Sequence, residues 1–110
     1  YNLLWDKVLH LGLLPDSFYA AETASYLPRI NTYGLPLDSR ADYTKSDWIC
    51  WTARMADDPA VRAALIAPVA KELHETTSRV PFSDWYDTKT NRLVAFIGRS
   101  VQGGLFALML

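Results

Sequence analysis

The sequence predicts a mainly α-helical fold built from helical hairpins, with one small β-hairpin near residues 82–96. Apolar residues recur at helical spacing in several stretches, side chains typical of helix N-caps precede some of them, and Gly and Pro separate them. The chain has 110 residues and is 50% hydrophobic, which suits one modest core. We therefore expect a single helical region over residues 1–110.

The first half of the chain predicts two helices followed by a long loop. The first helix is expected over about residues 2–11 and stops at Gly12, where a left-handed conformation costs little. A second helix is expected over residues 15–31, with a kink at Pro28. Residues 32–43 lack a sustained period and are rich in turn formers, so they predict an ordered loop, and loops of this length are often functional.

Two N-terminal signals predict the next two helices. Thr44 and Asp47 fit a capping box, with Asp in place of the usual Glu or Gln, ahead of a third helix over about residues 45–56. Asp58 followed by Pro59 combines an N-cap with a Pro at the first helical position, which opens a fourth helix.

The β-hairpin is expected after the fourth helix. Residues 82–86 and 93–96 are short extended pieces, and the polar residues 87–92 between them resemble a hairpin tip. Any sheet in this region is expected to be small.

The last helix and both ends of the chain are apolar. Ser100 is expected to cap a helix in which Gly103 and Gly104 weaken the helix but allow another backbone to approach closely. Residues 1–5 and 105–110 are mostly apolar, although domain ends are usually polar and loosely held. We expect the chain to be a fragment of a larger domain or to bury its ends against another chain. The alternative is a compact bundle whose terminal helices are buried.

Composition excludes several functional classes. The formal net charge is −1 and no basic patch is present, which argues against a nucleic-acid partner. The longest apolar run, Leu105–Leu110, is far shorter than the about 20 residues of a membrane span, so no membrane partner is expected. Cys50 is the single cysteine, and neither His10 nor His74 has a metal-ligand spacing, so we expect no metal site and no cofactor.

Polar and aromatic residues concentrate in two loops, residues 35–48 and 79–87, and each contains a Ser-Asp-Trp triplet. Loops of helical hairpins alternate between the two ends of the array, so these two loops can share an end. A hydrolytic site made of carboxylates needs two of them facing one pocket. The acids available in these loops are Asp38, Asp47, Asp84 and Asp87.

The same loops supply residues for substrate binding. Trp48, Trp85 and Tyr86 are candidates to line a pocket. Arg40 or Arg79 is a candidate to hold a substrate carboxylate in a bidentate pair.

Structural explanations compete with these assignments. The capping box accounts for Asp47, and a turn closed by its own salt bridge accounts for Asp38 and Arg40. A hairpin turn accounts for Asp87, and tryptophans dominate small cores. Pattern alone therefore indicates a helical domain with two polar, aromatic loops.

Longer strings in these regions carry a family resemblance. The strings are Asn2–Lys7, Leu14–Ser17, Tyr33–Arg40, Tyr43–Trp48, Arg79–Thr88 and Arg99–Gly104. They resemble the C-terminal part of the glutaminase A family of fungi and bacteria, and Arg-Val-Pro-Phe-Ser-Asp-Trp-Tyr-Asp-Thr at residues 79–88 is too long a match to arise by accident.

The resemblance implies the closing section of a six-helical-hairpin toroid, an (α/α)6 barrel, in a secreted enzyme. It implies hydrolysis of the side-chain amide of L-glutamine to glutamate and ammonia. The predicted helices are fewer than a toroid needs, so we expect a partial toroid that is inactive alone and associates with the rest of its domain, or with itself, through its apolar ends.

From loop position and likeness to toroids that use carboxylates, Asp84 and Asp47 are the leading candidates for acid and base, and Asp38 follows them. Two alternatives stay open. One is a non-catalytic helical module that associates through its apolar ends, and the other is a fragment of a toroid-type glycoside hydrolase.

Overall fold

About half of the chain is helical in the computed structural model, which describes residues 1–79 and 81–110. In chain order the elements are α1 (Leu4–Val8), α2 (Asp16–Ser25), a 3₁₀ turn (Leu27–Arg29), β1 (Tyr43–Lys45), α3 (Ser46–Met55), α4 (Pro59–Glu75), β2 (Trp85–Asp87) and a C-terminal 3₁₀ helix (Ser100–Met109). The mainly α-helical class with a small sheet is confirmed. None of the helices in the described part of the chain is both long and apolar enough to cross a membrane.

The first helix is shorter than predicted because the backbone changes hand after it. His10 and Gly12 have φ values of 53° and 70°, which end the helical path before residue 11. The buried carboxylate of Asp6 then accepts the N–H groups of Leu13 and Leu14 at 2.9 and 3.1 Å, which fixes the turn into α2. The second helix is also shorter than the predicted 15–31, since α2 ends at Ser25 and Pro28 lies in the separate 3₁₀ turn instead of kinking a continuous helix.

The predicted capping box of α3 is wrong. The N-cap of α3 is Lys45, and no side chain caps its first turn. Thr44 is instead the central residue of β1, where its extended backbone pairs with Tyr86 and its side chain is buried. The start of α4 is as predicted, since Asp58 Oδ1 accepts the N–H of Ala60 at 2.8 Å.

The sheet differs from the predicted hairpin in its second strand. β1 pairs antiparallel with β2, with Thr44 opposite Tyr86 and Lys45 opposite Trp85. Residues 93–96 form no strand, and Tyr86 makes only an isolated bridge to Leu93.

Local backbone geometry explains why the predicted hairpin stops after one bridge. The turn itself forms, because Asp87 Oδ1 accepts the N–H groups of Lys89 and Thr90 at 2.9 and 2.8 Å. Ala95 has a φ of 56°, which an extended strand does not tolerate. β2 pairs with β1 along its other edge.

Helix α3 lies between two hydrophobic clusters. One cluster joins α3 to α4 and comprises Ile49, Ala53, Ala56, Val61, Leu65 and Val69. The other joins α3 to α1, α2 and the C-terminal 3₁₀ helix and comprises Leu4, Tyr19, Met55 and Ala107. Since α3 contributes to both, its orientation determines where the residues in its first turn lie.

The close approach predicted at the two glycines occurs at Gly104. A Cβ atom on Gly104 would lie 2.7 Å from Asp47 Cβ and 2.9 Å from Trp51 Nε1, both too short for real contacts. A Cβ on Gly103 would meet nothing within 4 Å. The C-terminal 3₁₀ helix therefore packs directly onto α3, because Gly104 has no side chain.

We expect Gly104→Ala to lower the free energy of unfolding by about 1–3 kcal/mol, because the added methyl overpacks the contact with α3. Gly103→Ala is the matched control and should leave stability equal or slightly raised, since its methyl faces open space. Urea unfolding of the two variants measures the difference. Equal losses in both would show that helix propensity, not packing, decides the effect.

Helix α4 buries a carboxyl group that the apolar pattern did not reveal. Glu72 is 1% exposed, and its Oε2 atom has no hydrogen-bond partner in the described part of the chain. Burial raises the pKa of Glu72 to about 7. Near neutral pH this group is therefore costly to ionise in the folded chain.

The raised pKa of Glu72 predicts a stability that falls with pH. Below about 4.5 the group is protonated in both states, and between about 4.5 and about 7 the unfolded state releases the proton first. The free energy of unfolding should therefore decrease across this window. Glu72→Gln should flatten that decrease in urea titrations at several pH values.

Glu75→Gln is the control for this titration, because the Glu75 carboxylate is exposed and accepts a hydrogen bond from Tyr33 Oη at 2.7 Å. This change should leave the fall between about 4.5 and about 7 in place. An unchanged pH profile in Glu72→Gln would contradict the assignment.

Candidate functional site

The two loops with Ser-Asp-Trp triplets meet at one end of the sheet. β1 leads directly into α3, so Asp47 lies in the first turn of α3. Asp84 immediately precedes β2, and its carbonyl oxygen accepts the N–H of Ser46 at 2.9 Å. The structure thus brings Asp47 and Asp84 together, although they are far apart in the sequence.

Both carboxylates of this pair are buried without hydrogen bonds that balance their burial. Asp84 is 0% exposed and Asp47 is 3% exposed. Within residues 1–79 and 81–110, neither carboxylate oxygen of Asp84 has a hydrogen-bond partner, and Asp47 Oδ1 has none either. Arg99 supplies the nearby positive charge, with Nη1 3.6 Å from Asp84 Oδ2. Such groups are expensive to bury, which marks this pair as a candidate site.

The two acids affect each other electrostatically. Burial raises the pKa of Asp47, and the charge of Asp84 raises it further. Asp47 therefore retains a proton more readily than an isolated aspartate does. A pair in which one carboxyl holds a proton beside a second carboxyl is suited to combined acid and base chemistry.

An ammonium group and two indole rings flank the acids. Lys45 Nζ lies 4.8 Å from the ring centroid of Trp48 and 4.9 Å from that of Trp85. Tyr1 stacks on Trp48 at a centroid distance of 4.1 Å, and Phe96 packs on Trp85 at 5.9 Å. The predicted pocket residues Trp48 and Trp85 thus share one cation near the start of α3.

The C-terminal 3₁₀ helix packs against Asp47 and its neighbour Ser46. Gly104 lies against Asp47, and Ser46 Oγ donates to Gln102 Oε1 at 3.5 Å. The Nε2 atom of Gln102 is buried and has no hydrogen-bond partner among the described residues. Buried, unpaired donors and acceptors therefore accumulate where α3, β2 and the C-terminal helix meet.

Asp38 and Arg40 lie elsewhere and bind each other. Arg40 Nε lies 3.0 Å from both carboxylate oxygens of Asp38, and Arg40 Nη2 lies 2.6 Å from Oδ2. Hydrogen bonds from Arg40 lower the pKa of the Asp38 carboxyl. Both residues line a separate cavity of about 500 Å³ along residues 35–42, which does not include Asp47 or Asp84.

The remaining predicted residues, Arg79 and Tyr86, also have partners of their own. The Arg79 guanidinium donates to the carbonyl oxygens of Thr76, at 3.0 Å, and His74, so it closes the C-terminus of α4. Tyr86 is buried, and its hydroxyl donates to the carbonyl oxygen of Tyr33 at 2.8 Å.

Sequence reasoning missed the roles of Lys45, Arg99 and Gln102 near the acids. Lys45 has a signal in the sequence, because it directly precedes a Ser-Asp-Trp triplet. In the structure the strand register places Lys45 opposite Trp85. The signal for Gln102 is weaker and consists of its position directly before Gly103. Among residues 1–79 and 81–110, no group of three or more His, Cys, Asp or Glu side chains is placed to hold a metal ion.

Comparison with known proteins identifies relatives over the whole chain. The model of the glutaminase A six helical-hairpin domain matches residues 1–109. Glutaminase A of Aspergillus oryzae is 40% identical over 113 aligned residues, which cover 100% of this chain and 16% of the relative. A protein of Arthroderma benhamiae named "Probable glutaminase" is 36% identical over 101 residues, which cover 89% of this chain and 12% of the relative.

The chain therefore spans less than a fifth of the length of these two curated relatives. Comparison with the solved structures gives no significant match. The family match covers nearly every residue, including both acid loops and the C-terminal helix that meet at the candidate site. By this match the chain belongs to the glutaminase A family, within its six helical-hairpin domain.

Proposed function

We propose that this chain contributes the acid pair of Asp47 and Asp84 to an enzyme that hydrolyses the side-chain amide of L-glutamine. The observation that carries the proposal is the meeting of two buried carboxylates at one end of the sheet, with oxygen atoms that have no hydrogen-bond partner among residues 1–79 and 81–110. The names of the two relatives supply the substrate, since both are called glutaminases.

Amide hydrolysis fits the different environments of the two acids. Asp84 acts as the base and takes a proton from water while the water oxygen bonds to the carbonyl carbon of the substrate. Asp47, whose pKa is raised, gives its proton to the nitrogen as the carbon–nitrogen bond breaks. The products are glutamate and ammonia. After one turnover Asp84 has gained a proton from water, and Asp47 has lost the proton it gave to the nitrogen.

In this proposal Trp48 and Trp85 line one side of the substrate pocket, because both rings pack around Lys45 Nζ next to the acids. Arg40 and Arg79 are weaker candidates for binding a substrate carboxylate, because the first is paired with Asp38 and the second closes α4. Asp38 ranks below Asp47 and Asp84 as a catalytic candidate, because it is paired with Arg40. We assign Tyr86 to the support of β2 rather than to substrate contact.

The proposal includes a longer protein in which these residues form the closing section of an (α/α)6 toroid. Large apolar side chains near both ends are exposed and would contact the rest of the toroid; they are Leu3, Trp5, Leu9, Leu11, Leu13, Phe106, Met109 and Leu110. We expect the 110 residues alone to be inactive for this reason. Secretion of the enzyme is part of the proposal and rests on the family resemblance.

Substrate must reach the acid pair beside the C-terminal 3₁₀ helix. Gly104 lies against Asp47, and neither the cavity of about 500 Å³ along residues 35–42 nor the one of about 430 Å³ beside Asp6 and Tyr19 is lined by Asp47 or Asp84. The helix is thus the element whose place in the complete enzyme decides whether substrate reaches the acids.

We expect Asp84→Asn and Asp47→Asn each to abolish ammonia release from glutamine in the full-length protein, because each removes one member of the acid and base pair. Loss of at least about 100-fold in kcat is typical for such groups. A coupled assay for ammonia measures the effect, and circular dichroism checks that both variants are folded.

Asp87→Asn is the matched control, because Asp87 lies on the same segment and its oxygen only accepts N–H groups in a turn. This variant should keep its turnover. Full activity in Asp84→Asn would remove Asp84 from the mechanism. Hydrolysis of oligosaccharides with glutamine untouched would favour the glycoside hydrolase, and inactivity on both substrates in the intact protein would favour the interaction module.

The same pair predicts a gain in stability when its charge is removed. Asp47→Asn should raise the free energy of unfolding by about 1 kcal/mol near neutral pH, because Asn needs neither a buried charge beside Asp84 nor the binding of a proton on folding. The gain should shrink as the pH falls through 3.8, because below that value Asp47 becomes protonated in the unfolded state as well. Urea unfolding at two pH values measures it.

Asp16→Asn serves as the control for stability, because its side chain is 87% exposed and makes only a surface ion pair. This variant should show no gain. A clear loss of stability in Asp47→Asn would mean that the carboxylate has a structural partner.

A further inference from the structure

Hydrolysis of an amide needs more than an acid and a base. When water adds to the carbonyl carbon, negative charge develops on the carbonyl oxygen, and a hydrogen-bond donor placed beside that oxygen lowers the barrier. The two carboxylates cannot supply this donor, because one is a base and the other gives its proton to the leaving nitrogen. A neutral N–H group near the acid pair would fill the role.

The side-chain amide of Gln102 offers such a donor. Its Nε2 atom is buried and unpaired in the described part of the chain, although a buried donor without a partner costs free energy. Natural folds rarely keep such a group without a reason. A ligand with an acceptor atom would satisfy it.

The oxygen end of this amide faces Ser46. Ser46 Oγ lies 3.5 Å from Gln102 Oε1 and donates to it. Ser46 is 0% exposed, and its N–H bonds to the carbonyl oxygen of Asp84. Ser46 also directly precedes Asp47. The oxygen end of the amide therefore faces the residue that precedes Asp47 and bonds to the backbone of Asp84, and Nε2 is the end without a partner in the described part of the chain.

Trp85 Nε1 is a second buried donor without a partner in the described residues. Its ring, however, is engaged on the aromatic flank, against Tyr43 at 5.4 Å, Phe96 at 5.9 Å and Lys45 Nζ at 4.9 Å. Gln102 is tied instead to the residue next to Asp47. Of the two donors, Gln102 is therefore the one outside the aromatic cluster, and its side chain contacts Ser46, whose N–H bonds to the backbone of Asp84.

We propose that Gln102 stabilises the oxyanion in this reaction, with Nε2 donating to the carbonyl oxygen of the substrate amide. The inference rests on the proposed function and adds a residue to it. Water adds to the carbonyl carbon, its proton passes to Asp84, and the electron pair of the C=O π bond moves to the oxygen that Gln102 contacts. As the C=O bond forms again, the C–N bond breaks and the nitrogen leaves as ammonia with the proton of Asp47.

The role of Gln102 predicts a defect in turnover rather than in binding. In the full-length protein, Gln102→Met keeps the length of the side chain and removes its donor, so kcat for glutamine should fall about 100-fold or more. KM should change by less than about threefold, because the contact strengthens only as charge develops. Gln102→His keeps an N–H donor and should retain part of the lost turnover.

Two further variants separate catalysis from packing. Gly103→Ala changes the same helix without a contact and should keep wild-type kcat. Gln102→Glu keeps an acceptor for Ser46 Oγ but lacks the donor, so it should lose turnover even if Gln102→Met does not fold. Wild-type kcat in a folded Gln102→Met or in Gln102→Glu would overturn the role of Gln102, and so would a rise in KM at unchanged kcat.

The wild-type protein and Asp84→Asn distinguish failure of this inference from failure of the proposed function. Ammonia release by the wild type and its loss in Asp84→Asn uphold the function, whatever Gln102 does. Absence of ammonia release by the wild type, or full activity in Asp84→Asn, overturns the function and this inference with it.

Discussion

The pairing of β1 with β2 is the constraint on which the candidate site depends. Each strand has three residues, and the two lie about 40 residues apart in the chain. Beyond the last pair, the hydrogen bond from the Ser46 N–H to the Asp84 carbonyl continues the same ladder into the first turn of α3. Because antiparallel register fixes which residues are opposite each other, this short ladder places the two acids at one end and Lys45 beside Trp85. Loss of the ladder would separate Asp84 and Trp85 from Asp47 and Lys45.

The site is assembled at the expense of stability. Asp47 and Asp84 are buried together, and α4 adds a buried carboxyl at Glu72. Within the part of the chain that the structure describes, Gln102 and Trp85 also keep buried donors without partners. The hydrophobic clusters on both sides of α3 compensate for these groups, since they hold α3 between α4 and the N-terminal helices. Unfavourable electrostatics supported by favourable packing is the usual arrangement around residues kept for chemistry.

Sequence reasoning succeeded where the signal is local. The N-cap at Asp58, the left-handed conformation of Gly12 and the close approach at Gly104 follow from backbone geometry within a few residues, and the structure contains all three. The capping box failed because Thr44 also suits a strand, and a distant partner decided between the two. The β2 partner and the burial of Glu72 depend on packing between segments, which periodicity does not encode. The salt bridge between Asp38 and Arg40 is local, and the sequence offered it as an alternative to catalysis. That Asp38 lies apart from Asp47 and Asp84 depends on packing, and the sequence did not reveal it.

The C-terminal helix has a winding that few helices sustain. Its ten residues are all 3₁₀, whereas runs beyond about four residues are uncommon. At a rise of about 2.0 Å per residue such a segment is about 20 Å long, and the same residues in α-helical form would span about 15 Å. Rewinding into an α-helix would shorten the segment by about 5 Å and would turn Gln102 away from its present neighbours. The backbone would exchange its 3₁₀ hydrogen bonds for α-helical ones. The surroundings of Asp47, on which Gly104 packs, therefore depend on this segment keeping its 3₁₀ winding.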